Sequence, residues 1–297
     1  MRSDIEFAAE DGVVLRGWLC LPEGSAPFPA VVMAHGFSAV KEQTLADLAD
    51  RLTGAGLACV VYDHRNLGES DGEPRQHIDP VAQVRDMRTA ITFAETRPEI
   101  DAARIDLFGS SYSGAHVLAV AALDRRVRCV VSQVPLISGF RNIERLTTAE
   151  TFPALLGQLD AERRARFAGE PYATIPVCSD DPGAAVAFPG LTTYEYFHHY
   201  ADRGLSPTWR NECTVASIDL ALAYDVLPYV PRIAPTPLLM IVTEADTTTP
   251  TDLALEAFAL AREPKRLVLV PGHHYRVYID AFEESSAAAT AFLAERL

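Results

Sequence analysis

Six short, mainly apolar runs, separated by stretches of helical periodicity, constrain this chain more than any other feature. Ala30-Val31-Val32-Met33-Ala34 is the first, and the runs at 57–62, 105–108, 127–134, 238–242 and 267–270 repeat its character. A strand buried on both faces of a parallel sheet reads as such a continuous run, because neither face meets water. Between the runs, Leu45, Leu48, Ala49 and Leu52 recur at helical spacing before Gly54 and Gly56. Residues 78–94 read as a helix, with Pro80 near its start and Pro98 beyond its end, and 115–123, 252–261 and 282–297 read likewise. Alternating strands and helices predict βαβ crossovers and a mostly parallel, twisted sheet flanked by helices. Ahead of them, the apolar stretches 5–8 and 13–21 surround Asp11-Gly12, a hairpin signal that predicts an antiparallel edge.

The alternation stops at residue 136 and resumes at 235, where Pro228, Pro231, Pro235 and Pro237 punctuate the return. Residues 1–135 and 235–297 are therefore expected to form one α/β core, and 136–234 a partly helical cap inserted into it. Ligands of open α/β sheets bind at the carboxyl ends of the strands, so a cap there serves as a lid.

A net charge of −14 on 297 residues repels polyanions, which excludes nucleic acid and anionic membrane surfaces as expected partners. No apolar run approaches the roughly 18 residues that span a bilayer. Five scattered cysteines with no C-x-x-C pair argue against a disulfide framework or zinc site. The first residues carry acids where a signal peptide needs an apolar core. These features predict a cytoplasmic protein, monomer or homodimer, with no cofactor and no metal.

Chemistry concentrates at Gly109-Ser110-Ser111-Tyr112-Ser113-Gly114, between a predicted strand and a predicted helix. A nucleophile elbow needs small residues two before and two after its serine, because the sharp turn crowds both positions. Centring on Ser111 puts Gly109 and Ser113 there, whereas centring on Ser110 would put Phe108 and Tyr112 there. Ser110 and Ser113 read as turn and cap residues. A serine hydroxyl needs a base to take its proton and an acid to orient that base. In an elbow hydrolase the order along the chain is Ser, acid, His. After the run at 238–242 come Glu244 and Asp246, of which Asp246 is preferred because it leads into Thr249-Pro250 and the next helix. After the last run come His273 and His274, either of which can supply a base near neutral pH. For the developing oxyanion, the backbone N–H groups of Phe37 and Tyr112 are the expected donors, with Gly36 easing the first turn and His35 structural.

Together, His35-Gly36-Phe37, the turn from Asp63 through His64, Arg65, Asn66, Leu67, Gly68 and Glu69 to Ser70, the Ser111 elbow, Glu244-Ala245-Asp246 and Gly272-His273-His274 resemble the α/β-hydrolase superfamily. Within it the chain is most similar to the dienelactone-hydrolase-like group, near Xaa-Pro dipeptidyl-peptidase-like esterases. It is also similar to hydrolases and acyltransferases that release or transfer polyketide acyl chains, a likeness carried by 238–252 and 263–272. The resemblance implies an α/β-hydrolase fold and a role for residues 63–70 in shaping the loop beside the oxyanion hole. Where relatives commonly read Gly-Gly-His-Phe, this chain has Gly272-His273-His274-Tyr275. His274 thus takes the catalytic register, and His273 replaces a glycine beside the site. Arg276 departs from the family pattern as well, as either a surface residue or a contact for an anionic substrate.

Within the cap, Tyr194 and Phe197 lie in an aromatic cluster, and Trp209 follows. With His273 they are the expected substrate contacts, though such rings also serve to pack a cap on its core. The expected activity is cleavage of an ester or thioester of a small-molecule acyl substrate, polyketide-like or otherwise apolar, through an acyl-Ser111 intermediate. Acyl transfer or C–C bond hydrolysis uses the same triad, and a non-catalytic binding protein on this scaffold is the rival of another class. Haloalkane dehalogenation would need a carboxylate where Ser111 stands.

Overall fold

The computed structural model describes residues 1–295, so the last two positions of the C-terminal helix expected over 282–297 lie outside the described residues. The apolar runs form the strands they predict, and all but the last, at the sheet edge, are largely buried. In chain order the first half comprises β1 (Arg2–Ala8), β2 (Val14–Cys20), β3 (Phe28–Ala34), α1 (Leu45–Gly54), β4 (Ala58–Tyr62), α2 (Pro80–Glu95), β5 (Ile100–Ser110), α3 (Tyr112–Leu123) and β6 (Val127–Gln133). After a helical segment come β9 (Leu238–Thr243), α8 (Thr251–Leu260), β10 (Lys265–Val270) and α9 (Phe282–Ala294). The eight strands form one sheet in the order β1-β2-β4-β3-β5-β6-β9-β10. β2 is antiparallel to both β1 and β4, and the remaining pairs are parallel. The predicted hairpin is the β1–β2 pair, with Gly12 at φ +89° in its turn.

β3, β4 and β9 are buried at nearly every position, which is why they read as apolar runs rather than as alternations. α2 starts where Asp79 accepts hydrogen bonds from Val81 N (2.9 Å) and Ala82 N (3.1 Å), with Pro80 at its first position. α3 is buried from Tyr112 to Ala122, and its all-round apolar sequence suits a helix enclosed on every side.

Between β6 and β9 lie α4 (Gly139–Leu146), α5 (Thr151–Phe167), α6 (Leu191–Ala201) and α7 (Val215–Leu222), with a two-stranded ribbon of β7 (Thr174–Ile175) and β8 (Cys213–Thr214). None of this segment joins the main sheet. Phe188, Tyr196 and Phe197 reach from it to the cavity that holds Ser111, so it covers the carboxyl ends of the strands. Among the described residues, no helix is long and apolar enough to cross a membrane.

Candidate active site

Ser111 sits between β5 and α3 with φ 57° and ψ −115°, a conformation that costs a non-glycine residue about 1–3 kcal/mol. Its neighbours hold it there. Ser111 N–H donates to the Gln133 carbonyl at 2.8 Å, and its own carbonyl accepts from Leu136 N–H at 3.1 Å. A Cβ at position 109 would lie 2.1 Å from the Ser113 carbonyl oxygen, and one at 114 would lie 2.9 Å from the Gln133 carbonyl oxygen. The crowded positions are therefore 109 and 114, and position 113 has room for a hydroxymethyl group. That explains why a second serine stands where an elbow often has glycine.

Ser113 is fully buried, and its hydroxyl donates to the His35 carbonyl while lying 2.8 Å from His64 Nε2. Ser110 meets the Tyr278 hydroxyl at 2.8 Å and accepts from Gln133 Nε2 at 3.1 Å. Neither side chain caps α3, which corrects the reading of both as turn and cap residues. They tie the elbow to the loops around it.

His274 opens a short 3-10 turn (His274–Tyr278) after β10, and its Nε2 lies 3.2 Å from Ser111 Oγ. Its Nδ1 lies 2.7 Å from Asp246 Oδ2. Asp246 is buried in the loop after β9, where Oδ1 accepts from the N–H groups of Thr248 (2.9 Å) and Thr249 (2.8 Å) and Oδ2 accepts from Thr243 Oγ1 (3.0 Å). Burial pushes its pKa upward, but the His274 ring and these hydrogen bonds outweigh that and hold it below the ordinary carboxylate value. Glu244, the alternative acid, is exposed. His273 is half-buried, with its Nδ1 enclosed and without a hydrogen-bond partner among the described residues. Serine, imidazole and carboxylate thus form one continuous chain, a geometry that can move a proton from Oγ to the ring.

Phe37 and Tyr112 flank this chain. Tyr112 is the first residue of α3, so its N–H precedes the helical ladder and points out of the helix end. Phe37 follows Gly36, whose Cα faces the Ser111 side chain. The loop after β3 is anchored from behind by a buried ion pair. Asp63 accepts from Lys41 N (2.7 Å), Lys41 Nζ (2.8 Å) and Glu69 N (3.0 Å), and both Lys41 and Asp63 are fully buried. Burial alone would lower the Lys41 ammonium, yet Asp63 and Glu69 beside it keep its pKa above the ordinary value.

His35 Nε2 accepts from His64 N–H at 3.2 Å, which leaves Nδ1 to carry the proton and donate to the Gly36 carbonyl at 3.0 Å. Burial drives the His35 pKa down. This ring is neutral and structural, and the turn at 63–70 acts on the Phe37 loop through it and through Lys41.

One cavity is lined by Ser111, His274 and Phe37, together with Phe188, Tyr196 and Phe197. Of the four expected substrate contacts, only Phe197 lines it. Trp209 stacks on the far side of Phe197 with centroids 4.9 Å apart, Tyr194 stacks on His198 at 3.9 Å, and neither residue nor His273 belongs to the lining. Tyr196 and Phe188 take that place. On an amphipathic helix adjacent aromatics face different ways, and the composition of the cluster does not show which ring turns inward.

Tyr278 was not singled out in sequence, although it lies four residues beyond His274. Burial pushes its phenol well up, while hydrogen bonding to Ser110 and Ser111 pulls the other way, so it stays protonated as a donor. Lys41 was also missed, because nothing local marks a lysine whose carboxylate partner lies on another loop.

The strand order, the helices on both faces and the elbow after β5 define an α/β-hydrolase. Residues 11–276 match the X-Pro dipeptidyl-peptidase (S15) family, and the chain belongs to that family. It is 34% identical to a thiohydrolase of Aspergillus aculeatus, with 99% of this chain and 93% of that protein covered. It is 32% identical to a polyketide transferase of Penicillium sp, over 91% of this chain and 88% of that one. The crystal structure of an alpha/beta hydrolase from Penicillium sp. sh18 superposes with a TM-score of 0.85 at 30% identity, covering 100% of this chain and 99% of the other.

Proposed function

We propose that this protein is a serine hydrolase that cleaves an ester or thioester of a small-molecule acyl substrate through an acyl-Ser111 intermediate. Ser111 Oγ attacks the carbonyl carbon while His274 Nε2 takes its proton. Asp246 holds the ring with Nδ1 protonated and stabilises the imidazolium that forms. The N–H groups of Phe37 and Tyr112 receive the oxyanion. His274 then returns the proton to the departing alcohol or thiol, and water, deprotonated by the same ring, releases the acid. The observation that carries this reading is the unbroken chain from Ser111 Oγ to His274 Nε2 (3.2 Å) and from Nδ1 to Asp246 Oδ2 (2.7 Å). Kinship with a protein named a thiohydrolase supports a thioester as the bond cleaved.

A second reading, acyl transfer to an alcohol or amine, is supported by kinship with a polyketide transferase. It differs only in what attacks the acyl-serine, so product analysis with competing nucleophiles separates the two. Incubation with a fluorophosphonate, followed by intact mass and peptide mapping, tests both. One adduct on Ser111 is expected in the native protein and none in Ser111→Ala, which should fold normally and lose turnover by at least about a thousandfold. Native protein that stays unlabelled would mark a binding protein on a hydrolase scaffold instead.

A further inference from the structure

Two cavities meet at Phe37 and Phe188. The one holding Ser111 is small, about 50 Å³, and its neighbour is larger, about 450 Å³. Both residues line both cavities, and their rings pack edge to face with centroids 5.0 Å apart, so the pair stands where the two meet. The second cavity is walled by Ile143 and Leu146 of α4, Leu155 of α5, Val186, and Ile218 of α7, with Thr147, Thr151 and Gln158 as its polar side chains. Among the described residues no charged side chain lines it. A carboxylate or phosphate would lose its water there with no charged partner to replace it, whereas a hydrocarbon chain loses nothing by entering. Phe37 belongs to both environments: its backbone follows Gly36 past Ser111 while its ring walls the apolar space.

We propose that this second cavity is the subsite for an aliphatic acyl chain, which passes the Phe37–Phe188 pair with its carbonyl carbon at Ser111. The inference rests on the reading of Ser111 as nucleophile and adds where an apolar acyl chain lies. The cavity beside Ser111 is then left for the reacting carbonyl and the leaving group. Each methylene buried in the apolar subsite should raise kcat/KM by about three- to fourfold until the space is filled.

A decyl fluorophosphonate with a terminal diazirine, attached to Ser111 of the native protein and irradiated, tests where the chain lies. Crosslinks to α4, α5 or residues 184–189 are expected. Crosslinks confined to α1 or α9, which line only the cavity beside Ser111, would overturn the subsite. Kinetics give a second reading, as the ratio of kcat/KM for decanoyl over acetyl thioesters. That ratio should fall at least about tenfold in Leu155→Trp and Leu155→Asp. It should hold in Ala161→Trp, an exposed position on α5 outside the lining. An unchanged ratio in folded Leu155 variants also counts against the subsite. Absence of any fluorophosphonate adduct would instead remove Ser111 as nucleophile, a different failure.

Discussion

Gly36 stands so close to Ser111 that a Cβ at position 36 would lie 3.0 Å from Ser111 Cβ and 3.4 Å from Ser111 Oγ. A side chain there must push either the serine or the Phe37 loop aside. Gly36→Ala is therefore expected to lower kcat/KM by about ten- to a hundredfold, part of the cost of losing one oxyanion donor. Thermal melting should move little, because the added methyl meets a side chain rather than the packed sheet. Wild-type kinetics in this variant would show that the contact has no bearing on turnover.

Ser113 links three segments. Its hydroxyl donates to the His35 carbonyl, so it accepts from His64 Nε2, and His64 Nδ1 already lacks a partner among the described residues. Burial holds the His64 pKa well below its ordinary value, and the ring cannot offset a lost partner by taking a charge. Ser113→Ala should cost about 1–3 kcal/mol in urea unfolding, the cost of a buried donor left unmade. A loss under about 0.5 kcal/mol, the level of an ordinary surface change, would count against the link.

Tyr278 shares a hydrogen bond with Ser110, which also accepts from Gln133. When the Ser110 hydroxyl is the donor in that hydrogen bond, the Tyr278 O–H is free to donate toward Ser111. Tyr278→Phe keeps the ring packing and removes that donor. A kcat decrease of about tenfold with KM nearly constant is expected, equivalent to one hydrogen bond of about 1–1.5 kcal/mol. A raised KM with kcat unchanged would assign the hydroxyl to binding instead.

Asp246 has a pKa below the ordinary carboxylate value. A carboxyl more acidic in the folded than in the unfolded chain adds stability in full above its unfolded value, near about 4. That stability is lost as the pH falls through the lower, folded value. The difference in unfolding free energy between wild type and Asp246→Asn should stay constant above about pH 5 and shrink below about pH 4. A difference that grows on acidification would reverse the assigned direction.

Much of the scaffold was legible along the chain. The runs that became β3, β4 and β9 reveal themselves because burial on both faces removes polar residues from nearly every position at once, while the edge strand β10 keeps an apolar run although it is only partly buried. The elbow was legible too, from small residues around Ser111 between a strand and a helix. Which acid and which histidine approach that serine was narrower: Glu244 and Asp246 stand two residues apart, and His273 and His274 are adjacent. One of each pair turns inward, Asp246 and His274, and one does not.

By itself, then, the sequence determined the alternating architecture, the edge hairpin, the elbow and the order of serine, acid and histidine. Each of these is written in the burial or backbone conformation of neighbouring residues. Only the tertiary structure decided that His274 reaches across 163 positions to Ser111, that Lys41 finds Asp63, and that Tyr196 and Phe188 rather than Tyr194 and Trp209 face the cavity. Those relationships depend on how distant segments are rotated and packed against one another. Local periodicity constrains which side of an element is buried, not which partner it meets there.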